Sequence, residues 1–257
     1  MIKVAVAGAL GRMGTLVIQE LSKFEDLQLV AGLDAVGAGK MLAPGGVIVS
    51  DASMLQKMLA STKPDVLIDF TVASAAVENI CSAAEMGVNL VVGTTGFSQD
   101  QLSKMKGAID GNVAAVISPN FSVGVNVFWK LLAEAAKALK DYDIEVIEAH
   151  HNQKKDAPSG TALAAVDILK KAHGEVEIIH GREGIRLRGK EIGVHAVRAG
   201  DIVGDHTVLF AGPGERLEIK HQAHSRTAFA SGAVRAARYV VKKSPGIYSM
   251  ADVLESR

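Results

Sequence analysis

Short, mostly apolar runs alternate with helical patterns along the first half of the chain. Residues 2–7 form the first run, as expected for a strand buried on both faces of a parallel sheet. Further strands are predicted at 27–33, 65–70, 88–92 and 113–118, and helices at 13–24, 73–86 and 98–109. Strands and helices in this order predict a Rossmann-type α/β fold, a doubly wound parallel sheet with helices on both faces.

The pattern changes after Asn120. A helix is predicted at 125–139 and an alternating strand at 143–151. Strand-like runs separated by turn signals follow at 177–180, 185–187, 193–198, 206–210 and 216–221, and a last helix is predicted at 231–243. This order favours a C-terminal α+β domain with a mostly antiparallel sheet. We therefore expect one domain at 1–121 and a second at 122–230, with the C-terminal helix of 231–257 returning to the first.

A glycine loop follows the first predicted strand. Gly8, Gly11 and Gly14 are spaced G-x-x-G-x-x-G, a variant of the commoner G-x-G-x-x-G, and a helix follows them. Strand, glycine loop and helix in this order are typical of a pyrophosphate cradle. Asp34 ends the second strand about 20 residues further on, where an acid would bind the ribose hydroxyls. The first domain is thus predicted to bind a dinucleotide.

The residues after Asp34 favour NADH over NADPH. Ala35 follows it, and no arginine stands there to meet a 2′-phosphate, although Arg12 or Lys40 could reach one. Short polar residues and glycines end the later strands, at 70–71, 93–96 and 118–121. They suit a nicotinamide ribose and ring, and equally suit ordinary turns between strands and helices.

A cationic loop joins the alternating strand of the second half to a helix. Its proton-bearing or cationic side chains are His150, His151, Lys154 and Lys155. Ser159 is a favourable N-cap, and the amides behind it, at Gly160 and Thr161, would form an anion-binding helix tip. His150 and Lys154 can also donate protons. The loop therefore predicts a site that binds an acid and carries out acid–base chemistry on that acid. The alternative is an ordinary solvated loop.

Composition excludes several classes of protein. The chain of 257 residues has a formal net charge of zero, which argues against nucleic-acid and membrane-surface binding. No apolar run approaches the ~18 residues of a spanning helix. Its one cysteine, Cys81, forms no internal disulfide and suits the cytoplasm, and its setting predicts a packed thiol. His221 and His224 lack further ligands at metal-binding spacing, so no metal site is expected.

These segments resemble the family of dihydrodipicolinate reductases, or 4-hydroxy-tetrahydrodipicolinate reductases, of bacterial lysine and diaminopimelate biosynthesis. The resemblance covers almost the whole chain. It is carried by residues 6–14, 69–71, 93–96, 120–126, 148–154, 156–162 and 197–207. The segment from the paired histidines to Thr161 is highly specific to that family, whereas the glycine loop alone is not.

The resemblance implies reduction of a cyclic imine dicarboxylate by NADH or NADPH after loss of a hydroxyl as water. It implies that His150 is the acid–base residue, that Lys154 donates a proton, and that His151, Gly160 and Thr161 hold a substrate carboxylate. The implied cofactor contacts are Gly8, Ala9, Leu10, Gly11, Arg12, Met13, Asp34, Gly93, Thr94, Thr95, Ser118, Pro119, Asn120 and Phe121. The second domain would bind substrate and form a homotetramer.

The chain departs from the family pattern at two positions. Asn152 and Gln153 stand where the family often has arginine and histidine, which removes charge near the substrate. Two alternatives stay open. One is another Rossmann-type dehydrogenase, such as an aspartate dehydrogenase or a semialdehyde dehydrogenase, although the latter needs a cysteine nucleophile and Cys81 is badly placed. The other is a non-catalytic NAD(P)-sensing module, which would have no use for two proton donors.

Overall fold

The computed structural model describes residues 1–256, which form two compact units. The first comprises residues 1–123 together with the chain from residue 226 onward, and the second comprises residues 124–225. Each unit has its own sheet, with two buried apolar clusters in the first unit and one in the second.

The first unit begins with the predicted alternation of strands and helices. The strands are β1 (Ile2–Ala7), β2 (Leu27–Asp34), β3 (Val49–Asp51), β4 (Val66–Asp69), β5 (Asn89–Val92) and β6 (Ala114–Ile117). The helices are α1 (Arg12–Leu21), α2 (Leu55–Thr62), α3 (Ala73–Glu85) and α4 (Gln99–Ile109). The strands and helices predicted before residue 118 are confirmed, whereas β3 and α2 were not predicted.

The second unit follows. Its elements are α5 (Val123–Ala138), β7 (Asp143–His150), α6 (Gly160–His173), β8 (Glu177–His180), β9 (Glu191–Arg198), β10 (Gly204–Gly212) and β11 (Glu215–Ala223). The first residue of α5, Val123, still belongs to the first unit. The sheet has the order β11-β10-β7-β9-β8, with antiparallel pairing from β11 to β7 and parallel pairing from β7 to β8.

The strand predicted at 185–187 is wrong. These residues lie in an irregular loop, and the side chains of Ile185 and Leu187 are fully exposed. The run is too short and too rich in arginine to bury an apolar face. The prediction was based only on the two apolar side chains, which is too weak a signal for a strand.

One face of the second sheet packs on α5 and α6. Along β7 the inward positions are Ile144, Val146, Glu148 and His150, and all four are buried. Ile144 and Val146 join the apolar core, which includes Leu132 of α5 and Leu169 of α6. The strict alternation therefore carries a carboxylate and an imidazole onto the same covered face at the end of the strand.

The chain completes the first unit with α7 (Thr227–Val240), β12 (Gly246–Tyr248) and α8 (Met250–Glu255). Parallel pairing of β12 with β6 completes the sheet order β12-β6-β5-β4-β1-β2-β3. Helix α7 begins four residues before the predicted start, and a Cβ on its Gly232 would lie 1.8 Å from the carbonyl oxygen of Phe121. Within residues 1–256 no helix is long and apolar enough to cross a membrane.

Candidate active site

The glycines in the loop after β1 and in the first turn of α1 have little room for a side chain. Gly8 has a φ of +75°, and a Cβ there would lie 2.8 Å from the carbonyl oxygen of Phe70. A Cβ on Gly14 would lie 2.0 Å from the carbonyl oxygen of Gly8. Gly11 is the N-cap of α1. The first amides of a helix have no acceptor inside it, so this bare backbone fits a pyrophosphate.

Asp34 is tied to the same loop. Its Oδ2 accepts a hydrogen bond from the Leu10 amide at 2.9 Å, and its Oδ1 accepts one from the Val36 amide at 3.3 Å. Together with Gly8 and Gly11 it lines a cavity of about 290 Å³. A larger hollow of about 530 Å³, beside β3 and α2, holds none of the predicted site residues. The smaller cavity fits the ribose end of a dinucleotide.

The strand ends beyond this cavity are organised by Asp69, a fully buried carboxylate. It accepts hydrogen bonds from the hydroxyls of Thr71 and Thr94, at 2.7 and 2.8 Å, and from the side-chain amide of Asn79 at 2.8 Å. It thereby links the end of β4 to the turn after β5. The site prediction omitted Asp69, although an acid that ends an otherwise apolar strand was a signal for such a role.

The remaining predicted cofactor residues differ in how far they are exposed to solvent. Ala9, Thr94, Ser118 and Phe121 are buried, Leu10, Met13, Gly93 and Asn120 are half-buried, and Arg12, Thr95 and Pro119 are exposed. Phe70 lies edge-on to Phe121 with ring centroids 5.9 Å apart, and a Cβ on Gly93 would overlap the Phe70 ring. Phe121 therefore packs in the core, and its backbone is the part that a ligand could contact.

In the second unit, Glu148 is the centre of a buried polar cluster. It is fully buried and accepts hydrogen bonds from His150 Nδ1 at 2.5 Å, from the Ser159 amide at 3.0 Å, and from both terminal nitrogens of Arg198 at 2.8 and 2.9 Å. Burial alone would raise the pKa of Glu148, but these hydrogen bonds outweigh burial and hold its pKa below the ordinary value. Glu148 is therefore an ionised carboxylate.

His150 is oriented by that carboxylate. Its Nδ1 is committed to Glu148, so Nε2 is the nitrogen left for a reacting partner. A Cβ on Gly204 would lie 3.0 Å from this Nε2, so the glycine leaves space beside it. Burial lowers the pKa of His150 and outweighs the opposite effect of Glu148. The imidazole is therefore neutral at pH 7 and can take up a proton at Nε2.

Lys154 is held by Asp156. Both carboxylate oxygens of Asp156 lie 2.8 Å from the Lys154 ammonium, which lowers the pKa of that carboxyl. The backbone turns tightly here, since the Lys154 amide donates to the carbonyl of His151 at 3.1 Å. His151 is half-buried, whereas Lys155 is exposed. The loop thus presents one ordered ammonium group, that of Lys154.

The predicted start of α6 is confirmed. Ser159 is the N-cap, and its Oγ accepts a hydrogen bond from the Ala162 amide at 3.2 Å. Gly160 and Thr161 are the first two residues of the helix. A Cβ on Gly160 would meet nothing within 4 Å, so the glycine is not needed for local packing. It leaves the helix tip open to a ligand.

Arg198 and His206, which also belong to this cluster, were missed by the site prediction. They come from β9 and β10, and a register that pairs Glu148 with His206 brings them together. Cys81 lies in the other unit, where burial raises the pKa of its thiol. Within residues 1–256, no three histidine, cysteine, aspartate or glutamate side chains are grouped to hold a metal ion.

Two family models match the chain. The one described as dihydrodipicolinate reductase, N-terminus, matches residues 2–121, and the one described as dihydrodipicolinate reductase, C-terminus, matches residues 124–254. The 4-hydroxy-tetrahydrodipicolinate reductases of Methanosarcina barkeri and Methanosarcina acetivorans are 59% and 57% identical, with 99% of each chain covered. The structure of dipicolinate-bound dihydrodipicolinate reductase from Paenisporosarcina sp. TG-14 superposes with a TM-score of 0.81 at 29% identity, covering 97% of both chains.

Proposed function

The chain belongs to the dihydrodipicolinate reductase family and reduces 4-hydroxy-tetrahydrodipicolinate, and we propose that the residues described above carry out this reaction. The product is tetrahydrodipicolinate, water is lost, and the step serves lysine and diaminopimelate biosynthesis. The alternatives of another dehydrogenase or a sensing module are not favoured, because both family models and full-length relatives agree on the reductase.

The first unit is the proposed dinucleotide-binding domain. Its bare glycine loop and the carboxylate of Asp34 fit the pyrophosphate and the adenosine ribose of a nicotinamide cofactor. That cofactor supplies a hydride when it is bound. We favour NADH, because Ala35 offers no positive charge to a 2′-phosphate.

The second unit is the proposed substrate-binding domain. The observation that carries the proposal is that each of its two proton carriers is held by a carboxylate. His150 is held by Glu148 at 2.5 Å, and Lys154 is held by Asp156 at 2.8 Å. Hydride addition to a conjugated imine places negative charge on the carbon and nitrogen framework. A cationic donor lowers that barrier, and general acid catalysis typically contributes about 10²–10⁴-fold. Lys154 is the proposed donor, and His150 exchanges a proton at Nε2.

The substrate is a cyclic dicarboxylate, in keeping with the dipicolinate bound to the Paenisporosarcina relative. His151 and the helix tip at Gly160 and Thr161 would hold one carboxylate, because a helix N-terminus favours an anion. Asn152 and Gln153 are neutral and exposed, so they add no charge to this site.

A homotetramer assembled through the second unit is also proposed. Ile147 and Val197 are 40% and 45% exposed on the sheet face opposite the helices, and Ile185 and Leu187 project from a loop. Exposed apolar side chains favour association. Light scattering should give the mass of four chains. Ile185→Asp with Leu187→Asp should lower that mass, and a monomeric wild-type protein would contradict the proposal.

A cytoplasmic location stays a prediction.

The test of function is oxidation of NADH or NADPH with freshly formed condensation product of pyruvate and aspartate semialdehyde. His150→Ala should slow turnover by at least ~10²-fold while the Kd for NADH stays unchanged. The control is His173→Ala, at the far end of α6. If wild-type protein binds the cofactor but never turns this substrate over, the sensing module becomes the better reading.

A further inference from the structure

We propose that Glu148 and Arg198 act together to set the proton state of His150. Glu148 fixes the imidazole tautomer, and Arg198 offsets part of the negative charge that this carboxylate presents to the ring. Both are positioning residues, since they act through His150. The inference rests on the proposed function, because it takes His150 to exchange a proton in the reaction.

The Glu148 carboxylate dictates which nitrogen of His150 carries a proton. An ionised carboxylate accepts hydrogen bonds and cannot donate them, so Nδ1, 2.5 Å away, must be protonated. The tautomer leaves the Nε2 lone pair facing the space that Gly204 keeps open. A neutral ring in this orientation is ready to receive a proton.

Arg198 neutralises the same carboxylate. Its terminal nitrogens bond both oxygens of Glu148, at 2.8 and 2.9 Å, in a two-point contact that lysine could not reproduce. One of these nitrogens also donates to the carbonyl of Asp156 at 2.6 Å. The guanidinium thus connects the strand that carries His150 with the loop that carries Lys154. A single residue supports both proton carriers.

Burial is the largest influence on the pKa of His150, and the charges that face the ring add to or oppose it. Glu148 faces it from β7, Arg198 from β9, Lys154 from the loop and His206 from β10. His206 is neutral because burial lowers its pKa to about 4. Glu148 raises the pKa of His150, whereas Lys154 and Arg198 lower it. Without the guanidinium, the uncompensated carboxylate would raise the pKa of the imidazole.

The two residues should therefore shift the pKa of His150 in opposite directions. Glu148→Gln removes the charge that raises this pKa, so the pKa falls. Arg198→Met removes a charge that lowers it and leaves the carboxylate uncompensated, so the pKa rises. A role limited to packing predicts no such opposition. The double variant removes both charges and should bring the pKa back towards the wild-type value.

The experiment is an NMR titration of the full-length protein with ¹⁵N-labelled histidine, which reports the tautomer and the pKa of each ring. His150→Asn identifies the His150 signal among those of the eight histidines. The wild-type ring should be the Nδ1–H tautomer. Glu148→Gln should lower its pKa by about one pH unit or more, and Arg198→Met should raise it by a smaller amount. Glu134→Gln, which breaks an exposed ion pair with Lys137 on α5, should leave it unchanged.

If Arg198→Met does not fold, Arg198→Lys tests the same point, because it keeps the charge but loses the two-point contact. A smaller upward shift is then expected. Shifts in the same direction, no shift, or an equal shift in Glu134→Gln would overturn the inference.

The pH profile of kcat/KM separates this inference from the proposed function. If His150 acts as proposed, one pKa in the kcat/KM profile belongs to His150. In each variant that pKa should shift in the same direction as the pKa measured by NMR. Opposite NMR shifts with an unchanged rate profile would support the inference about the pair, yet refute the acid–base role of His150.

Discussion

His206 lies edge-on to His150, with the ring centroids 5.1 Å apart, and its Nε2 is 3.0 Å from Ser159 Oγ. His206 is 3% exposed, and within the described chain its Nδ1 has no hydrogen-bond partner. Burial lowers the pKa of His206 from 6.5 to about 4. It therefore forms a neutral wall of the site, linked to the N-cap of α6.

This setting makes stability depend on pH. Between pH 6.5 and about 4 the unfolded chain binds a proton at His206 and the folded chain does not, so stability falls as the pH is lowered. The contribution is about 3 kcal/mol, from 1.36 kcal/mol for each pH unit. His206→Gln should flatten the dependence of the free energy of unfolding on pH in this window. Urea unfolding at a series of pH values measures it.

The control for that experiment is His224→Gln, which changes an exposed histidine of the same unit. It should keep the wild-type slope. A His206→Gln protein whose stability falls as steeply as wild type would show that His206 is not the buried neutral group described.

Gly204→Ala should impair turnover without loss of fold. The new Cβ would lie 3.0 Å from His150 Nε2, so the ring must move by a few tenths of an ångström from the position that Glu148 gives it. Misplacing a reacting group costs roughly tenfold or more in kcat. Steady-state kinetics together with a circular dichroism melt measure both effects. Wild-type kcat in this variant would mean that the space beside Nε2 is not used.

Asp34→Ala should weaken NADH more than NADPH. The carboxylate is the proposed partner of the ribose hydroxyls, and a hydrogen bond to a charged group is worth about 1.5–3 kcal/mol, whereas a 2′-phosphate would be repelled by it. Side-by-side titrations of both cofactors by fluorescence give the ratio. Asp110→Ala, which removes an exposed carboxylate at the C-terminal end of α4, is the control. Equal losses for the two cofactors would count against the ribose role.

Gly14→Ala should destabilise the glycine loop. Its Cβ would lie 2.0 Å from the carbonyl oxygen of Gly8, a clash that backbone movement must relieve at a cost of about 1–3 kcal/mol. NADH affinity should fall as well. Gly107→Ala on α4 meets nothing within 4 Å and should be neutral or stabilising by up to about 1 kcal/mol. Chemical unfolding and NADH titration compare the two variants. Equal stability of Gly14→Ala and Gly107→Ala would contradict the claim that the backbone around Gly14 is crowded.

Much of the first unit was predictable because most of the signals for its elements are local. The strand 2–7, the glycine loop and Asp34 follow one another along the chain, and the parallel order follows from the alternation. The segments β3, α2 and β12 escaped because they are short or polar. In addition, β12 pairs with β6, more than 120 residues away, and periodicity does not report such a neighbour.

The buried cluster of the second unit was only half predictable. Ser159 as an N-cap and the reactive side chains of the loop are local signals. The partner of Glu148 is Arg198, 50 residues away, and the contact depends on the parallel register that pairs Ala149 with Val197. No sequence pattern specifies that register, so the residues that orient His150 could be found only from the fold.

The most direct test of the account compares Lys154→Ala with Lys155→Ala for turnover of the condensation product and for NADH affinity. Lys154 is the ordered ammonium held by Asp156, whereas Lys155 is exposed beside it. Turnover should fall by at least ~10²-fold in Lys154→Ala alone, with the Kd for NADH unchanged in both variants. Wild-type turnover in Lys154→Ala, or a loss of NADH binding that accounts for its inactivity, would contradict the account.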